Sequence, residues 1–296
     1  MAMQRWTARP RYRVGRDLHR MVHALNALQA VSQTGSPSGG ETTDADIFDQ
    51  HTPGSTLWPL LAKASLCKDQ TQKKMLLFVQ SGSNGARLEL GKALDAAYAV
   101  YQHFIQWPTS VPERFKYMRL PAQQRSNPAT LGLDDGTPEI FVFVTLEKSS
   151  PWLAYWSTCI YFLETLIRGY RLIGDYSNAS ALFDMERKRA EAVENILSSA
   201  PYMLGDLSSI PDSSSSSSSS SSPRPNGSIK TLRAYFLLQS LVAANMMEEG
   251  VSPRQRRAIL DYLYRIGTSF GIRASLGARN RWIAGNAAEA SFVLGM

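Results

Sequence analysis

The residues whose types could do chemistry are few. The chain has four histidines, at 19, 23, 51 and 103. His19 and His23 are four residues apart, so a helix would put them on one face. That spacing can hold a metal ion. No HExxH pattern or third ligand accompanies it, and a pair of core or surface histidines is expected. The two cysteines, Cys67 and Cys159, cannot build a zinc cluster or a disulfide framework. Cys159 lies in an apolar helical run and is expected to be a small core residue. The fragment SGSNGARLELGKA at 81–93 is glycine-rich. Its Gly91-Lys92 is followed by alanine and the glycine spacing fails a phosphate loop, so it reads as a turn before a helix. Asp134-Asp135-Gly136 could bind a cation and reads more simply as a turn. Neither GxGxxG nor a GxSxG elbow occurs. No catalytic residue, cofactor-binding residue or metal ligand is assigned, no cofactor is expected, and the chain is not expected to be an enzyme.

Arginine is the one chemically active residue type in excess. Residues 1–15 carry Arg5, Arg9, Arg11 and Arg13 and no acid. Such a segment suits a nuclear-import patch, a phosphate-contacting arm, a transit peptide or a solvated tail. Between Ser252 and Trp282 stand seven arginines (254, 256, 257, 265, 273, 279 and 281) against one acid, Asp261. They could meet phosphate or an acidic partner, or form a solvated basic helix face.

What must position these groups is a helical frame. At 296 residues the chain is long enough to bury a sizeable core. Its 44% hydrophobic and 19% charged residues are a globular balance, and the net charge of +7 permits an acidic partner without requiring one. The N-terminus shows no apolar signal-peptide core, so an intracellular, reducing setting is expected.

The expected organisation is all-α: a multi-helix, bundle-like single domain over 57–296, preceded over 1–56 by a basic arm, a short helix and a linker. In the short helix, Arg16 to Val31, Leu18, Met21, Val22, Leu25 and Leu28 recur at helical spacing. Helices are expected over 57–79 and 88–107, the latter ended by Pro108. Residues 75–79 fit either a helix end or a strand. The segment 107–121 reads as extended or turn, and 121–138 as a surface loop. Residues 139–145 (EIFVFVT) have strand composition without an evident partner. Residues 151–172 are apolar nearly all round, but the unbroken part is too short for a membrane span and reads as a buried helix. Over 183–200 the expected stripe is Phe183, Ala190, Val193, Leu197 and Ala200, with Arg189 among the outward charges and Pro201 closing the helix. Ten serines, 213–222, flanked by prolines, form an expected disordered insertion over about 206–229. A central helix over 231–247 follows. Ser252, Pro253 and Gln255 then start a further helix with a capping box, and Gly271 stops it.

Four segments, in order, resemble one family: LDAAYAVYQHFIQWPTSVPERFKY, FVFVTLEKSSPWLAYWSTCIYFLETLI with its Tyr155-Trp156 pair, AEAVENILSSAPYMLG, and AYFLLQSLVAANMMEEGVSPRQRRAILDYLYRIGTSFGIRASL. Together, over roughly residues 88–276, they resemble the C-terminal helical regulatory region of fungal zinc binuclear cluster transcription factors. The resemblance implies a nuclear transcription-regulator-like protein, with protein partners in the transcription machinery or another regulator, and homo- or hetero-oligomers. It softly implies control of a secondary-metabolite gene cluster. That family reads DNA through a six-cysteine zinc cluster, which two cysteines cannot supply, so contact with DNA is expected to be indirect. No membrane association is expected. The alternative is a helical accessory or small-ligand-binding protein, with an apolar cavity lined by Trp152, Tyr155, Trp156, Phe236 or Met246 and no direct role in transcription.

Overall fold

The computed structural model describes residues 53–121, 139–175, 179–206, 226–247 and 249–293. The architecture is all-α, with one two-stranded sheet laid against it. The basic arm, the expected helix over 16–31, the linker up to residue 52, the loop 122–138 and the serine tract lie outside the described residues, as do His19, His23, His51 and Asp134-Asp135-Gly136.

Helix α1 (Pro53–Ser81) buries Leu57, Leu61, Ala64, Lys68, Thr71 and Met75, a stripe at three- to four-residue intervals. It starts inside the region read as linker: Pro53 occupies the first helical position, where a missing N–H costs nothing. The ambiguous patch 75–79 is its last turns. Gly82 then takes φ +59, and Ser83 caps α2 (Asn84–Phe104) by accepting from the Ala86 N–H at 3.2 Å. Leu90, Leu94, Ala97, Val100, Tyr101 and Phe104 form the buried face of α2.

Pro108 does not end α2. The helix stops at Phe104, and Pro108 is the second residue of a single turn, α3 (Trp107–Ser110), which buries Trp107. A 3-10 turn (Glu113–Phe115) leads into β1 (Met118–Pro121). This strand pairs antiparallel with β2 (Glu139–Val142), Met118 opposite Val142 and Pro121 opposite Glu139. The apparently partnerless strand therefore has a partner. β1 lies in the segment expected to be extended or turn, and its pairing is hidden in the sequence because Met118, Arg119 and Pro121 are exposed and give no alternation, while β2 buries Ile140, Phe141 and Val142.

Helix α4 (Leu146–Ile173) is central and packs on α1, α2, α5 (Ala179–Met203) and α6 (Asn226–Asn245). Gly174 ends it at φ +65, donating to the Arg171 carbonyl at 3.2 Å. The stripe of α5 is rotated from the expected one. Leu182, Met185, Arg189, Ala192, Val193, Ile196, Leu197 and Ala200 are buried, whereas Phe183 is 66% exposed. Pro201 lies within the last turn, and closure falls to the Asp206 N–H, which donates to the Pro201 carbonyl at 2.9 Å. Helix α6 begins at Asn226, earlier than the expected 231.

Ser252 and Gln255 form the expected capping box on α7 (Pro253–Ser269), and Gly271 turns the chain at φ +71 into α8 (Arg273–Val293). Ile259, Leu263 and Ile266 point inward. Buried side chains from α1 through α8 make one continuous core. No helix among the described residues is long and apolar enough to cross a membrane.

Candidate functional site

The densest charge constellation lies where the C-terminal half of α4 meets α5 and the segment between α6 and α7. Glu164 bonds Arg168 one helical turn away and also receives Arg189 from α5. The Arg189 side chain is 3% exposed. Arg171 reaches Glu186 on α5 at 2.7 Å and Glu249 at 2.5 Å. Its hydrogen bond holds the Glu249 carboxyl below the usual carboxylate range. Gly250, at φ +79, lies beside this group; a Cβ there would stand 3.1 Å from Arg189 Nη2. Three arginines face three glutamates, so the group is self-neutral. Its chemistry is that of a clamp between helices, and it offers no acid–base pair held for a substrate.

On sequence alone Arg189 falls among the outward charges of α5. The structure puts it inward because its position, four after Met185 and four before Val193, lies on the buried stripe. The sequence held that signal, but its carboxylate partner 25 residues away is brought close only by packing of α5 on α4.

A second constellation is aromatic. Trp107 and Trp152 lie 5.0 Å apart, Trp107 and Tyr155 5.1 Å, and Tyr117 and Phe141 4.2 Å in a stack. Trp156 meets Tyr117 at 5.6 Å and Trp152 at 5.7 Å. Trp152 Nε1–H donates to the Phe115 carbonyl at 3.0 Å, and Trp107 Nε1–H to Thr56 Oγ1 at 3.2 Å, so both indole donors are satisfied. Trp152, Tyr155 and Trp156, expected as possible cavity walls, instead pack on other rings. Met246 is 44% exposed and meets Tyr161 Oη at 3.9 Å.

Burial pushes the Cys159 thiol up to about 12 and raises the Tyr155 phenol beyond its ordinary range. Burial also raises Cys67. A thiol so shifted stays protonated at neutral pH and is a poor nucleophile.

The arginines of α7 and α8 divide into two sets. Arg256 and Arg265 work inside the fold. Arg256 donates to the carbonyls of Asn245 and Met247, closing the end of α6, and lies 5.2 Å over the Trp282 ring. Arg265 forms a two-pronged pair with Asp206, whose side chain is 0% exposed. Arg279 lies 5.2 Å over the Tyr264 ring. Arg254, Arg257, Arg273 and Arg281 are exposed. The basic run is thus only partly a solvent face.

His103 is exposed near the end of α2. Among the described residues, no group of three or more His, Cys, Asp and Glu could hold a metal ion. The glycine-rich fragment is the α1–α2 turn and the first turns of α2. No family model, curated protein or solved structure matches the chain.

Proposed function

We propose that the chain is a transcription-regulator-like protein. It acts through contacts of a helical regulatory domain, on protein partners in the transcription machinery or on another regulator, in the nucleus. The observation that carries this reading is the packing of the four segments that resemble the regulatory region of fungal zinc binuclear cluster factors. They become α2 with α3, β2 with α4, the second half of α5, and α6 with α7. These elements lie against one another around α4 and share one core. Their common core supports reading the four segments as one unit.

Two further observations support a role in contacts rather than catalysis. The buried charges are paired within the fold, and the cysteines are held as neutral thiols. With only two cysteines in the chain, sequence-specific contact with duplex DNA is assigned to partners rather than to a zinc cluster. Control of a secondary-metabolite gene cluster is part of the same reading. Tagged full-length protein should enrich in the chromatin fraction and at discrete loci by cross-linked immunoprecipitation. Exclusion from the nucleus under every growth condition would overturn the reading.

A further inference from the structure

The outer face of α7 carries Arg254, Arg257, Asp261, Tyr264 and Thr268, at intervals of three and four residues, so they form one stripe. Arg254, Arg257, Tyr264 and Thr268 are exposed, Tyr264 at 52%. Arg279 crosses from α8 and lays its guanidinium 5.2 Å over the Tyr264 ring. The guanidinium donates to Asn280 Oδ1 at 3.4 Å, and its Nε is buried. The exposed Tyr264 ring, with a cation 5.2 Å from its centroid, stands on the same face as the exposed Arg254 and Arg257.

We propose that this α7–α8 face binds single-stranded nucleic acid. Arg254 and Arg257 meet backbone phosphates, and a base stacks on the Arg279–Tyr264 pair. Both halves of that chemistry are needed for single strands: cations that track phosphates and planar groups that accept unstacked bases. An acidic peptide would use the arginines and leave the stacked pair idle. A lipid surface would need more apolar side chains than the described part of this face shows, where Ile283 on α8 is 40% exposed. The chain's net charge of +7 favours the encounter. Asp261 works against it: the lone acid of the stripe sits between Arg257 and Tyr264.

The test is fluorescence anisotropy of a labelled oligo-dT of about 20 nucleotides with the full chain, in parallel with a duplex, a poly-glutamate peptide and phosphatidylserine vesicles. Wild type should bind the single strand most tightly, with affinity falling as salt rises. Arg257→Glu should weaken binding at least about fivefold and flatten the salt dependence. Tyr264→Ala should weaken it about tenfold with little change in salt dependence. Asp261→Asn should strengthen it, which no folding defect would mimic. Replacing Arg5, Arg9, Arg11 and Arg13 by alanine separates any contribution of the basic arm and should leave the effects of the α7 variants in place. Binding unchanged in Arg257→Glu and Tyr264→Ala, loss confined to the arm variant, or preference for the peptide or the vesicles would each overturn the proposal.

Discussion

Arg189 on α5 and Glu164 on α4 form an ion pair whose arginine is 3% and whose carboxylate is 21% exposed. Two charges taken this far out of water survive because each has other partners or lies near other charges. Glu164 also binds Arg168, and Arg189 lies within the field of Glu249. The pair fixes how α5 rests on α4, and Arg171 extends the same clamp to the segment that leads into α7.

Removing one member should therefore cost more than removing both. Glu164→Ala takes from the buried Arg189 the carboxylate it bonds, and is expected to destabilise by roughly 3 kcal/mol. The double variant Glu164→Leu with Arg189→Met should recover most of that loss, because apolar groups of similar volume need no partner. Urea unfolding of the single and double variants measures this. Equal losses in both would show that packing, not charge pairing, holds the contact.

Arg265 and Asp206 make a stricter case. Asp206 has 0% side-chain exposure and takes both prongs of the guanidinium. Arg265→Lys keeps the charge and loses the fork, so it should destabilise by about 1–2 kcal/mol, and Arg265→Ala by about 3 kcal/mol. A lysine variant as stable as wild type would mean that charge alone suffices.

Two helical glycines should respond to alanine with opposite signs. At Gly169 on α4 a Cβ would clash with the Leu94 side chain, which is fully buried and has little room to shift. Gly169→Ala is expected to cost about 1–3 kcal/mol. At Gly91 on α2 nothing lies within 4 Å of the added carbon. There alanine gains helix propensity and should stabilise by about 0.5–1 kcal/mol. Thermal melts of both variants provide the comparison.

Alkaline pH should unfold the protein earlier than surface chemistry alone would. The folded state raises Cys159 from 9.0 to about 12 and Tyr170 from 10.0 to about 12, chiefly by burial. A raised acidic group contributes stability below its unfolded value and loses it as pH climbs through the folded one. Melting temperature should therefore hold near neutral pH and fall progressively from about 9 to about 12. In the same protein a thiol reagent should modify Cys67 slowly and leave Cys159 untouched until unfolding. Rapid labelling of both thiols in the folded state would contradict the burial of Cys159.

The sequence by itself determined where helices form and what many of them bury. The stripe from Leu90 to Phe104, the capping box at Ser252 and the stop at Gly271 all rest on interactions within a few residues of chain. Spacing and residue type encode such interactions directly. The tertiary structure decided what depends on residues far apart. The strand β1 is paired because Glu139–Val142 lies across from it, although its own residues carry no alternation. Arg189 is buried because α5 meets α4 at Glu164, and Arg265 is neutralised by Asp206, 59 residues before it. Of the candidate surface on α7 and α8, the sequence showed an excess of arginine. Only packing separated Arg256 and Arg265, held among carbonyls and a carboxylate, from the more exposed Arg254, Arg257, Arg273 and Arg281. A charge reports its sign along the chain, whereas its partner is chosen by how helices meet.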